Sequence, residues 1–134
     1  MSNARTRCIR YVLPHERLDD LVDEAKGLTF EHFREHALLR LEEGRRVFAQ
    51  GASYEMELEH VLDTDDPFGR EGGLYVEVED ESVRVVELIF HTHPVPTGPS
   101  DEDMRVLRIL KQETSLLFEI FGPVEGTRFR ARKE

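Results

Sequence analysis

The sequence contains a single cysteine, Cys8, and no tryptophan. One thiol can close no intramolecular disulfide and build no Cys-rich zinc site, so a metal in this chain must be held by histidine and carboxylate; the lack of a disulfide framework suits a reducing compartment. Long apolar runs are missing as well, with none near the ~18 residues of a membrane span. The opening Met-Ser-Asn-Ala-Arg-Thr-Arg-Cys lacks the apolar stretch of a signal peptide, so the cytoplasm is the expected compartment and a membrane is not an expected partner. Basic charge is scarce: 18 Lys and Arg stand against 28 Asp and Glu, a formal net charge of −10. Such a surface repels phosphate backbones within a Debye length, which argues against nucleic acid as a partner and favours a basic docking surface on any protein partner.

What remains is a chain of 134 residues, 39% hydrophobic and 34% charged, the composition of a globular protein. It is long enough for one core and too short for a barrel of ~250 residues, so residues 1–134 are expected to form a single domain.

Residues 8–13 are predicted as a strand stopped by Pro14, followed by a helix marked by Leu18, Leu21, Val22 and Ala25, with Gly27 as its C-terminal cap. Residues 29–44 fit two periods: Phe30, Phe33, Ala37 and Leu41 suit a helix, while Ala37, Leu39 and Leu41 suit one face of a strand. Residues 45–50 and 54–59 alternate as strands, residues 63–73 form a polar surface loop, and residues 74–79 and 83–90 are strands around a hairpin turn at Asp80-Glu81-Ser82. The second of these is apolar enough to be covered on both faces, and it runs into His91. A helix over 100–113, with Met104, Leu107 and Leu110 on one face, and a closing hairpin of 116–121 and 127–132 complete the chain. The fold class is α/β, with α and β mixed around one sheet.

The chemistry lies in His91-Thr92-His93-Pro94 and Ser100-Asp101-Glu102-Asp103. On extended backbone residues i and i+2 share a side, so His91 and His93 can offer imidazole nitrogens to one ion. Pro94, Pro96 and Pro99 stiffen the connection, and Ser100 as a helix cap puts Asp103 one turn in, where its carboxylate can reach the same ion. Two histidines and a carboxylate leave a fourth tetrahedral position for water, the composition of catalytic zinc. Each part has an ordinary reading alone, Ser-x-x-Asp as a plain helix start and His-x-His as two unconnected histidines; the ordered combination is what specifies a Zn2+ site.

In that order the residues resemble the signature of the JAMM (MPN+, JAB-domain) metalloproteases: an upstream Glu, His-x-His-Pro, a short loop, and Ser-x-x-Asp. The resemblance spans nearly the whole chain. It implies a JAB/MPN-like (cytidine-deaminase-like) domain with one mixed, mostly antiparallel sheet flanked by helices. It implies zinc held by His91, His93 and Asp103, with Ser100 helping to hold the carbonyl oxygen as it becomes an oxyanion. The implied activity is that of a zinc metallopeptidase or isopeptidase cleaving at the C-terminal tail of a ubiquitin-like or sulfur-carrier-like protein, with zinc-activated water as nucleophile. The alternative is an MPN-like interaction module that binds zinc without peptidase activity. The chain departs from the family in the loop, where six residues separate His93 from Ser100, one fewer than is usual.

That chemistry needs one more carboxylate, to take a proton from water and return it to the leaving amine. The family places it in a Glu-x-x-Gly-x-Leu-x-Gly pattern, of which there is no clean copy here. Glu35, ahead of His36-Ala37-Leu38-Leu39-Arg40-Leu41, is the first candidate, Glu43 the second, and Glu24 matches locally but lies early; each can equally be a solvated surface residue. His32-Phe33-Arg34-Glu35-His36 also spells the His-x-x-Glu-His of inverted zinc proteases, which requires both histidines on one helical face. In a chain with 19 Glu and 6 His the match arises easily, and the plain alternative is a segment with solvated histidines. His15 and His60 are expected at the surface or in packing, and Cys8 as a small buried hydrophobe.

Overall fold

The computed structural model describes residues 6–51, 58–62 and 72–131, the segment 59–62 by its backbone. In chain order these form β1 (Arg7–Val12), α1 (Leu18–His32), β2 (His36–Leu41), β3 (Arg46–Gln50), β4 (Glu59–Leu62), β5 (Gly72–Val78), β6 (Glu81–His93), α2 (Asp101–Leu110), β7 (Thr114–Glu119) and β8 (Thr127–Arg130). No helix among the described residues is long and apolar enough to cross a membrane.

Gly27 does not end the first helix. It sits inside α1 with nothing within 4 Å of where a Cβ would stand, so it weakens the helix without stopping it. The helix runs on to bury Thr29, and Phe33, at φ 53°, closes it by donating its N–H to Thr29 O at 2.9 Å. The doubly periodic segment therefore divides: residues 29–32 finish α1, and the chain extends into β2 from His36. The hairpin turn falls one residue earlier than expected, at Glu79 and Asp80 (φ 50° and 69°), because two successive left-handed residues match the strand twist; Glu81 and Ser82 already pair in β6. Residues 54–57 and 63–71 of the expected strand and loop lie outside the described residues, whereas Gly72 and Gly73 belong to β5. α2 stops at Leu110, capped by left-handed Lys111, and the closing strands are β7 and β8.

The eight strands form one sheet in the order β4-β5-β1-β3-β2-β6-β7-β8, and β5 also pairs with β6. The strands β5, β1, β3, β2 and β6 thus make a closed circuit, joined between β1 and β5 by a single parallel bridge from Arg7 to Glu77. β6 and β7 are the other parallel pair, linked by α2 as the crossover, and the remaining pairs are antiparallel.

Two apolar cores divide at this sheet. On one face Leu39, Leu41, Val47, Val76, Val85 and Leu88 pack with Val106 and Leu107 of α2. On the other, Leu21, Val22 and Ala25 of α1 cover Leu38, Phe48, Phe90 and Phe118. Here Phe90 meets Phe48 and Phe118 edge to face, at 6.5 and 5.6 Å between ring centres, a geometry worth ~0.5–1.5 kcal/mol per pair beyond area burial.

β6 does not alternate simply. Against β2 the pairing steps from Leu38–Phe90 to Leu39–Leu88 and from Arg40–Glu87 to Leu41–Val85, leaving Ile89 and Val86 as extra residues. These bulges carry the α2-facing positions along β6 from Val85 to Leu88 to His91, at intervals of three. A strict period of two would have turned Glu87 and Ile89 inward instead.

Candidate metal centre

His91 and His93 end β6 on the face covered by α2. Across β2 the register sets Ala37 opposite His91 and His36 opposite Thr92, so Glu35, one residue before β2 and in phase with Ala37, arrives beside His93. Asp103 reaches the same point from the first turn of α2. Its Oδ2 lies 3.0 Å from His91 Nε2 and 3.2 Å from His93 Nε2, the two Nε2 atoms are 3.2 Å apart, and Glu35 Oε1 is 3.4 Å from His93 Nε2. All four residues are buried, with exposures of 2–7%. Together Glu35, His91, His93 and Asp103 could hold a metal ion, their ligand atoms lying within 4.8 Å of one another.

Asp103 is held twice. Its N–H donates to Ser100 Oγ at 3.1 Å and its Oδ2 accepts the Ser100 N–H at 2.8 Å, a reciprocal capping box. The carboxylate oxygen that closes the capping box is thus the same atom that faces His91 and His93. Burial pushes the Asp103 carboxyl upward, but the hydrogen bonds of His91 and His93, with the Ser100 N–H, outweigh it and hold the group well below the usual carboxylate range.

The loop from Pro94 to Ser100 is tied down from outside: Gly98 N–H donates to Glu119 Oε2 at 3.0 Å, and Thr97 Oγ1 lies 3.3 Å from His93 Nδ1. The outer nitrogen of His93 therefore has a partner, as metal-ligating histidines usually do. The His91 ring instead stacks edge to face on Phe129 at 5.4 Å. Beside the cluster a cavity of about 10 Å³, lined by Glu35, Leu58, Leu88, His91, Asp103 and Val106, is close to the room one water needs.

Of the three glutamates weighed, Glu35 alone joins the cluster. Glu43 is exposed in the β2–β3 turn, bound to Arg45 at 2.8 Å, and Glu24 lies on α1, bound to Arg10 at 2.9 Å. The inverted-protease motif fails on geometry: His32 ends α1 and is exposed, while His36 is on β2, so the two never share a helical face. Nor is His36 a solvated histidine. It is fully buried against α1, opposite Glu35, and burial pushes its pKa down to about 4. His15 is exposed, the side chain of His60 lies outside the described residues, and Cys8 is half-buried, its thiol pKa raised by burial.

Several contributors carried no sequence signal, among them Thr97, Glu119 and Phe129. Thr92 carried one: on a strand with two inward histidines, the residue between them must satisfy its hydroxyl on the other face. Comparison of the chain with family models, with curated proteins and with solved structures gives no match.

Proposed function

We propose that this protein is a zinc-dependent hydrolase of amide or isopeptide bonds with a JAB/MPN-like fold, acting at the C-terminal tail of a ubiquitin-like or sulfur-carrier-like protein. The observation that carries the reading is the triangle of His91 Nε2, His93 Nε2 and Asp103 Oδ2, with edges of 3.0, 3.2 and 3.2 Å and the Glu35 carboxylate at its side. Ligand atoms ~2.0–2.1 Å from a tetrahedral zinc stand about 3.3 Å apart, so these three fit one face of that tetrahedron. When bound, zinc lowers the pKa of water towards neutrality and polarises a carbonyl.

The chain's own residues supply the rest. Glu35, buried and within reach of His93, takes the proton from water and returns it to the leaving nitrogen. The Ser100 oxygen accepts the Asp103 N–H, which leaves its own O–H to donate to an oxygen gaining negative charge. Exposed apolar side chains stand on the segments that leave the site: Phe33 two residues before Glu35, Val95 two after His93, and Phe121 next to Ile120, whose N–H donates to His93 O at 3.4 Å. They favour a polypeptide tail over a small polar amide as substrate. The net charge of −10 favours a basic docking surface whose affinity falls as salt rises.

Purified protein should carry about one zinc per chain and His91→Ala should lose it, since the ligands are what hold the ion. Glu35→Gln should keep the zinc while cleavage of a ubiquitin-like or sulfur-carrier-like fusion falls roughly 10²–10⁴-fold. Unchanged zinc in His91→Ala would sink the site, and full activity in Glu35→Gln would remove Glu35 as the base. Zinc without cleavage in the wild type would make the protein an interaction module.

A further inference from the structure

On the far side of β2 and β6 from the cluster lies a second buried polar group with no place in the chemistry above: Thr29 of α1, His36 of β2 and Thr92 of β6, all fully buried, with Gln50 of β3. We propose that His36 is a positioning residue for Glu35: held as its neutral Nδ1–H tautomer, it fastens the start of β2 to α1, β3 and β6 and so fixes Glu35 against His93. The proposal rests on the reading of Glu35 as the base.

The hydrogen bonds define the tautomer. His36 Nδ1 lies 3.0 Å from Arg34 O, which can only accept, so Nδ1 carries the hydrogen and shares it with Thr29 Oγ1 at 2.8 Å. His36 Nε2 lies 3.0 Å from the Gln50 amide nitrogen, a donor, so Nε2 is bare. The Thr29 hydroxyl then donates to Thr92 Oγ1, which also accepts the His36 N–H at 3.2 Å and donates to His36 O at 3.2 Å. In this arrangement each of these hydrogen bonds has one donor and one acceptor.

Its position explains its use. Thr92 stands between the two histidines and faces the opposite way, and His36 stands beside Glu35 and does the same. One network thus sets the strand that carries the base against the strand that carries the ligands. Glu35 precedes β2 at a strand end, where pairing frays most easily, and the Gly51 N–H to Glu35 O bond at 2.9 Å holds only its backbone towards β3. The hydrogen bonds of the His36 ring go to Thr29, Arg34 and Gln50, so its effect on the cluster runs through Glu35.

Two measurements test this without turnover. In wild-type protein, long-range 1H–15N correlation spectra at pH 7 should show His36 as the Nδ1–H tautomer; an Nε2–H tautomer overturns the network. With cobalt(II) as probe and 13C-labelled glutamate, the paramagnetic shift of the Glu35 carboxyl carbon, assigned by its loss in Glu35→Gln, reports where that carboxylate stands relative to the ion. In His36→Phe this shift should change at least about twofold while cobalt affinity stays within roughly threefold, because the three ligands are untouched. His36→Asn, whose amide nitrogen stands where Nδ1 does and can meet both Arg34 O and Thr29 Oγ1 of α1, should keep the wild-type shift. Should His36→Phe fail to fold, Thr92→Val and Thr92→Ser form the equivalent pair, with loss expected in the first and recovery in the second. An unaltered shift in folded His36→Phe or Thr92→Val overturns the positioning role whatever the activity. A wild type that takes up no cobalt overturns the metal centre and this role with it. The expected shifts in a protein that cleaves nothing overturn the peptidase reading and leave the positioning role standing.

Discussion

A histidine kept neutral by burial makes stability depend on acid. His36 has its pKa pushed down to about 4, whereas in the unfolded chain it titrates near ~6.5. Between those values the unfolded state binds the proton and the native state does not, so the stability His36 contributes is complete above about 6.5 and lost as pH falls towards 4, on the order of 3 kcal/mol in all. Urea midpoints of metal-free protein should drop between pH 7.5 and 4.5, and the drop should be smaller in His36→Phe; equal slopes would assign it to other groups. Glu16 works in a lower window, since the Arg10 hydrogen bond holds it down to about 2 and its contribution survives until pH falls below the usual carboxylate range. At this scale the cluster was largely legible. His91, His93 and Asp103 announce themselves by residue type and order, whereas His36 looked like half of a false motif because a lone histidine does not reveal which face of a strand it takes.

Helix α1 shows how an element overrides a local signal. A glycine after an amphipathic run is a good stop only where the next residues have nothing to bury, and here Thr29 docks on Thr92 and His36. The glycine is left in an exposed helix interior with space around it. Gly27→Ala should therefore raise stability by about 1 kcal/mol, read as a shift of the urea midpoint at unchanged slope. The same docking explains why residues 29–44 could not be divided from periodicity. Ala37 and Leu41 serve both templates, and the deciding fact, that Thr29 must reach Thr92, is a contact between residues far apart in sequence. Glu35 was legible as a glutamate heading a strand. The absence of the family's glycines after it did not prevent that strand from forming, because Leu38 and Leu39 fill the two cores on its opposite faces.

For the whole molecule the long strand β6 is the common member. Its first half pairs with β5 to close the circuit, its second half pairs with β7, and β2 runs along the other edge. In the gap between β5 and β7 the side chain of Gln112 stands in for a neighbouring strand, with Oε1 accepting the Leu88 N–H at 2.9 Å and Nε2 donating to Leu88 O at 2.8 Å. None of this could be read from composition, and the apolar run of residues 83–90 announced only that both faces are covered. The extra residue at Ile89 gives the strand an unusual tolerance. Losing one residue from a core strand normally turns every later side chain to the wrong face. Here, removal of Ile89 joins Leu88, which faces α2, directly to Phe90, which faces α1, and restores plain alternation with His91 and His93 still inward. The Ile89 deletion should still bind zinc, at some cost in stability, whereas deletion of Thr92, which makes His91 and His93 neighbours on opposite faces of the strand, should abolish binding. This strand can thus shorten by one residue without losing its site, an evolutionary freedom that insertions and deletions seldom find in the middle of a core.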